Sequence, residues 1–320
     1  MQTLEIETVR TKTRTAVVES PGKINLTLEI LGKRPDGYHD VRSIVLPVSL
    51  FETVEVTTRD DHVVTCVTKG EGVDVSGVNS LPTERNLAVR AVRAMQQLCG
   101  ITRGCDIRIV KRIPLGAGMA GGSADAAGVI TALRTLWIPE IPCSDIEEVG
   151  ASIGSDIPAL IHGGAVLVEG RGERVSSISI PKKPAPALFW LALAFPAFPV
   201  STKEIYENCR PGLTRDVDLC KNAVSSVRNG DVRAASRWVF NGLQDTVSRL
   251  YPETERFCLA LRRGGALSTL LSGSGSAVFG LAEDRDHADR IQKSLPENVW
   301  SKVVSTLPDG VMAAHGPLTP

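Results

Sequence analysis

The chain has no excess of charge of either sign. Over its 320 residues, 36 basic side chains meet 36 acidic ones, so the electrostatic footprint of a nucleic-acid or membrane-surface binder is missing. It has no Cys-x-x-Cys pair. Its seven cysteines are odd in number and scattered, which points away from a disulfide framework or a zinc site and toward a reducing, cytoplasmic setting. It has no long apolar run either. The longest, residues 187–195, is about half of what a bilayer crossing needs and reads as a buried strand. Residues 1–14 mix Glu, Arg and Thr without an apolar stretch, unlike a secretory signal. With 42% hydrophobic residues and no internal repeat, the chain reads as an ordinary globular protein of one very large domain or two ordinary ones.

What the chain does have is a glycine-rich loop at Ile113-Pro114-Leu115-Gly116-Ala117-Gly118-Met119-Ala120-Gly121-Gly122-Ser123-Ala124-Asp125. It lies between an alternating, strand-like segment and a strongly helical one. Glycines there let the backbone approach a ligand closely, and the free N–H groups and dipole of the next helix favour an anion, most often phosphate. Ser123 is placed to cap that helix, with Asp125 in its first turn. Gly116-x-Gly118-x-x-Gly121 matches the dinucleotide-binding pattern, but the context disagrees. The first strand of that fold is buried on both faces. Segment 105–113 instead alternates, with Cys105, Ile107, Ile109 and Ile113 on one face and Asp106, Arg108 and Arg112 on the other, as expected of a half-exposed antiparallel strand. No Gly-Lys-Ser/Thr follows the glycines, which removes the P-loop.

Strand-like and helix-like segments alternate along the rest of the chain. Residues 15–31 and 41–58 read as strands around a turn at 32–37, and 85–99 and 123–137 as helices with one apolar stripe. Three prolines within 181–186 mark a linker, dividing the chain into 1–180 and 187–320. The second part carries expected helices near 202–209, 217–228, 231–247 and 252–264, then a strand, loop and strand across 267–281.

Four further constellations stand out. Lys23 and Asn25 share one face of an alternating strand, either as a solvated edge or as a pair that binds a substrate hydroxyl and a phosphate. Tyr38-His39 sits in a turn, either ordinary surface or an aromatic and an imidazole that stack on and hydrogen-bond an unpaired base. Asp156, in Gly154-Ser155-Asp156-Ile157-Pro158, is either a helix cap or a functional acid against apolar surface. Ser272-Gly273-Ser274-Gly275 is either a backbone cradle or a tight hairpin.

In order and spacing, Pro21-x-Lys23-x-Asn25-Leu26, Asp36-Gly37-Tyr38-His39, the glycine loop, Gly154-x-Asp156-x-Pro158 and Ser272-Gly273-Ser274-Gly275 together resemble the GHMP kinases. The resemblance implies two α+β domains, the first like ribosomal protein S5 domain 2 and the second ferredoxin-like, with the active site between them. It implies ATP with Mg²⁺ and a small-molecule alcohol substrate carrying a cytidine diphosphate, in a monomer or weak homodimer with no nucleic-acid or membrane partner. By the same resemblance Asp156 matches the catalytic aspartate and Lys23 the lysine beside it. Pro114, Leu115, Gly116, Ala117, Gly118, Met119, Ala120, Gly121, Gly122, Ser123 and Ala124 match the loop around the ATP phosphates, and Asn86-Leu87 the segment near the adenosine. Tyr38, His39 and Tyr206 match the cytidine pocket, with Asn25 on the substrate. Gly22 stands where Ala is usual, Ala117 and Ala120 replace loop glycines, and Asp40 replaces a frequent Glu; none removes a functional group. Two rivals are a homoserine- or mevalonate-type kinase, which would not need the Tyr38-His39 base pocket, and a non-catalytic binding protein, which would not need Asp156.

Overall fold

The computed structural model describes residues 13–180, 188–209 and 219–307 and the backbone of Ala314–His315. The proline segment expected as a linker lies outside the described residues. In chain order the elements are β1 (Thr15–Lys33), β2 (His39–Thr58), β3 (Val64–Gly70), α1 (Ser76–Asn79), α2 (Leu87–Cys99), β4 (Cys105–Lys111), α3 (Gly121–Trp137), α4 (Cys143–Ile153), α5 (Ile157–His162), β5 (Val166–Gly170) and β6 (Arg174–Ser177). They continue with β7 (Trp190–Phe195), α6 (Thr202–Asn208), α7 (Leu219–Asn229), α8 (Val232–Ala235), β8 (Phe240–Asn241), α9 (Gln244–Leu250), α10 (Glu253–Arg263), β9 (Thr269–Leu271), β10 (Val278–Ala282), α11 (Arg285–Gln292), β11 (Trp300–Ser305) and β12 (Ala314–His315).

The first sheet is built on one long hairpin. β1 and β2 pair antiparallel from Thr15↔Thr57 to Lys33↔His39, closed by the turn that the Gly32–Gly37 cluster predicts, with Gly37 at φ 85°. β4 lies antiparallel to β2, as its alternation predicts, and pairs with β3 in parallel on its other side. Its inward Cys105, Ile107 and Ile109 are buried against the apolar stripes of α2 and α3. The second sheet runs β11-β7-β10-β9, antiparallel throughout. Residues 191–195 of β7 are all buried, which explains the continuous apolar run there.

The halves share their interior. One core cluster contains Ile24, Leu46 and Met95 from the first part and Phe189, Leu193, Cys220 and Ala223 from the second. Strands return as well, since β8 pairs parallel with β1 at Thr27↔Phe240 and β12 joins its other end.

Three local expectations need correction. α3 begins at Gly121, with Ala120 at the cap position in the left-handed region (φ 60°). The helix starts before Ser123 because Ala120 turns the chain and two glycines without Cβ enter the first turn. Ser123 is therefore not the cap, and no side chain caps this helix. Asp125, the fifth helical residue, is buried toward the sheet instead of sitting in the first turn. The expected helix over 231–247 is broken into α8, β8 and α9. Aromatic and β-branched Trp238-Val239-Phe240 leads into pairing with β1, and Gly242 N–H donates to the Leu28 carbonyl at 2.8 Å.

Candidate active site

A cavity of about 900 Å³ opens between the two sheets. The glycine loop forms one wall, the Lys23 face of β1 the floor, and the β1–β2 turn with α6 the opposite wall. Of the residues expected to hold phosphates, Pro114 to Gly118 and Ala120 to Ser123 line it. Met119 and Ala124 are buried behind them in the core. Asn86 serves α2 instead: its side chain accepts the Ala88 N–H at 2.9 Å, and it is Leu87 that reaches the cavity.

The loop is anchored through its carbonyls. Those of Gly116 and Ala117 accept from Ser276 and Ala277 N–H at 3.3 and 3.1 Å, and that of Met119 from Lys23 N–H at 3.1 Å. The Gly118 carbonyl accepts from the Ser272 hydroxyl at 3.1 Å and from Lys23 Nζ at 3.2 Å. The serine-glycine segment 272–275 is thus both the connection of β9 to β10 and a clamp on the loop. Gly118 has φ 73°, and a Cβ there would fall on the carbonyl oxygen of Ser272. Asn241, which the broken 231–247 pattern hid, donates from Nδ2 to the carbonyls of Leu271 and Gly273 at 2.9 and 2.8 Å and holds this clamp in turn.

On the floor, Lys23 is 4% exposed. Its Nζ donates to Asn25 Oδ1 at 2.7 Å and stands 3.5 Å from Asp156 Oδ1. Asn25 Nδ2 donates to Ser43 Oγ at 2.7 Å, and Ser43 Oγ to the Thr27 carbonyl at 2.6 Å. This chain orients Lys23 from behind. Ser43 escaped the sequence reading because cross-strand register alone brings it to Asn25. Asp156 precedes α5, yet its side chain makes no capping bond and faces the cavity at 41% exposure. Its segment is wedged by the β5–β6 turn, where Gly172 has φ 124° and a Cβ would lie 2.5 Å from the Ser155 carbonyl oxygen.

Across the cavity, His39 is buried with its ring 5.3 Å from that of Tyr206. Burial, and secondarily the charge of Lys33, lowers the His39 pKa, so the imidazole is neutral near pH 7. Burial and the charge of Asp156 push the Tyr206 phenol up, which keeps it a donor. Tyr38 is 55% exposed at the rim, with the Arg171 guanidinium 5.1 Å over its ring. No sequence pattern pairs these two; turns of different hairpins bring them together. The arrangement joins an anion-binding loop, a lysine-aspartate pair and a flat polar pocket in one cavity.

The family model for the GHMP kinases N terminal domain matches residues 86–164, and that for the GHMP kinases C terminal matches residues 223–301. A 4-diphosphocytidyl-2-C-methyl-D-erythritol kinase of Geobacillus sp. (strain WCH70) is 35% identical over 279 residues, covering 87% of this chain and 92% of the relative. A crystal structure of 4-(cytidine 5'-diphospho)-2C-methyl-D-erythritol kinase superposes with TM-score 0.70 at 30% identity, covering 90% of this chain and 99% of that one. The homoserine kinase of Cytophaga hutchinsonii superposes with TM-score 0.74 at 19% identity over 97% and 98% of the two chains, a likeness of fold alone.

Proposed function

The chain belongs to the GHMP kinases and, among them, to the 4-diphosphocytidyl-2-C-methyl-D-erythritol kinases, and from that premise we propose that it transfers the γ-phosphoryl group of ATP to the 2-hydroxyl of 4-diphosphocytidyl-2-C-methyl-D-erythritol. We keep the division at the proline segment, 1–180 and 187–320, as its two parts, the second returning β8 and β12 to the sheet of the first. The observation that carries the reading is Lys23 Nζ at 3.5 Å from Asp156 Oδ1, in one cavity with the glycine loop and with Tyr38, His39 and Tyr206.

Phosphoryl transfer asks the protein mainly for alignment and charge compensation. The turn from Gly116 to Ser123 holds the phosphates on backbone N–H groups and the start of α3, while Leu87 and Leu115 offer apolar surface to the nucleoside. Asp156 orients the acceptor hydroxyl and takes its proton. Lys23, held by Asn25 and Gly118, offsets the negative charge that develops between hydroxyl and phosphate. Asn25 and Lys23 bound the acceptor, and the cytosine lies against Tyr206 and neutral His39, with Tyr38 and Arg171 at the rim.

No group of three His, Cys, Asp or Glu side chains among the described residues is arranged to hold a metal ion. Mg²⁺ keeps several waters and is carried largely by substrate phosphates rather than by a protein cage. It would be carried on the nucleotide's own phosphate oxygens above the loop and, when bound, would neutralise their charge.

A coupled ADP-release assay tests the reading. Turnover is expected with the cytidine substrate and not with mevalonate or homoserine; turnover with either of those in preference would overturn it.

A further inference from the structure

Behind the glycine loop, away from the cavity, three ionisable side chains meet in the interior. Lys111, at the end of β4, is fully buried. Its Nζ donates to Asp125 Oδ2 on α3 at 2.6 Å and to the carbonyl of Gly121 at 3.3 Å, and stands 3.0 Å from Glu52 Oε1 on β2. Glu52 is equally buried, and its Oε2 accepts the Arg112 N–H at 2.6 Å. One ammonium thus ties two strands to the first residue of the helix whose N–H groups face the cavity. The fit is close, since a Cβ on Gly121 would lie 3.3 Å from Glu52 Oε1. Stability alone gives little reason for such a cluster, because well-packed apolar side chains of similar volume often serve as well or better.

We propose that Lys111, Glu52 and Asp125 are positioning residues for the nucleotide: Lys111 fixes the carbonyl of Gly121, the two carboxylates fix Lys111, and the charge on Glu52 sets how firmly the turn above holds an anion. This rests on the reading of that turn as the ATP site.

A site with one cation and two acids retains a proton. Burial pushes the Glu52 carboxyl up to about 7, with the Asp125 charge adding to the rise and Lys111 opposing it. Burial raises the Asp125 carboxyl as well, with Lys111 opposing it; because its Oδ2 lies 2.6 Å from the ammonium against 3.0 Å for Glu52, the charge is assigned to Asp125 and the proton to Glu52. The groups facing Glu52 are Lys111 from β4, Asp125 from α3 and the backbone N–H of Arg112, whose guanidinium turns away to Glu71 and Thr53. Cys66 of β3 faces Asp125 and Lys111, but burial pushes its thiol up to about 11 and it stays neutral. As pH rises through about 7, Glu52 ionises and adds a negative charge beneath a site built for phosphate.

The test measures ATP and cytidine-substrate affinities separately by calorimetry on the intact protein. Glu52→Gln copies the protonated acid permanently. It should bind ATP like the wild type near pH 6 and about threefold or more tighter near pH 8.5; the titration of ATP itself is common to both proteins and cancels in the ratio. Lys111→Met should weaken ATP about tenfold while the cytidine substrate stays within about twofold. A constant wild-type to Glu52→Gln ratio across pH overturns the proposal, as does an equal loss of both ligands in Lys111→Met, the signature of a merely structural cluster. If Lys111→Met does not fold, the pH ratio decides alone. A wild type that binds no ATP overturns the ATP reading together with this one, whereas ATP binding with a flat ratio overturns only the clamp.

Discussion

Asp156 stands where a helix cap would stand and leaves the capping undone, so its carboxylate is available to a substrate. Asp156→Asn keeps the size and polarity but removes the proton acceptor. Its kcat should fall by about a hundredfold or more with ATP affinity unchanged, and single-turnover kinetics beside ATP calorimetry would check this. His39 gives the complementary case. His39→Ala should raise KM for the cytidine substrate several-fold, a lost hydrogen bond and stacking contact amounting to ~1 kcal/mol, and leave KM for ATP alone. Because burial holds the imidazole below its usual titration range, the wild-type KM for that substrate should be level from neutral pH upward and rise only on acidification. A rise in KM centred above neutrality would contradict this. At this scale the sequence was informative about side chains that share a strand or a motif: Lys23 and Asn25 do meet, at 2.7 Å. It was silent about Ser43, Arg171 and the Lys111 cluster, whose partners lie across a register or on another element. One sign of the last was present, since Lys111 falls in phase with the inward Cys105, Ile107 and Ile109 of β4.

The glycine loop and α3 act as one element, and their glycines are packed against protein as much as against ligand space. Gly118→Val would not simply block phosphate; it would drive the serine-glycine clamp away. With the left-handed backbone at φ 73° and the collision with Ser272, even Gly118→Ala should lose about 2 kcal/mol or more of stability together with ATP affinity, measurable by denaturant unfolding and calorimetry. Ala120 poses the opposite problem, an L-residue at φ 60° where the family resemblance expects glycine. Ala120→Gly should be neutral to stabilising, by up to about 1 kcal/mol, and a clear loss of stability in the same unfolding experiment would refute that account. Element types were legible wherever one period ran uninterrupted, as in β1, β2, α2 and α3. The start of α3 was not, because a serine three residues in looks like a cap only until the glycines before it are seen to be helical. Nor was β8, a two-residue strand whose partner lies more than two hundred positions earlier.

Among the described residues two sheets share their interior: Phe189 and Leu193 pack with Ile24 and Leu46 in one cluster, and Leu271 and Val278 with Leu28 and Ile30 in another. Heating should therefore give one cooperative transition with matching calorimetric and van't Hoff enthalpies; two separated transitions would show that the lobes unfold independently. The alternation of strand and helix patterns was legible along the chain, and the α+β class followed from the family resemblance carried by the motifs. The shared interior was not, because no local period reports which lobe a buried face will meet. One detail of the site has a bearing on how reactants assemble. Every carbonyl from Gly116 to Gly121 accepts a hydrogen bond within the protein: from Ser276 N–H, Ala277 N–H, Ser272 Oγ together with Lys23 Nζ, Lys23 N–H, Ala124 N–H and Lys111 Nζ in turn. With those carbonyls occupied, the backbone of the loop has little to offer a bare cation. Arrival should thus be ordered, with magnesium entering only as a passenger on the nucleotide. Titrating magnesium chloride into the free protein should give no heat at concentrations where the magnesium–ATP complex gives a full isotherm.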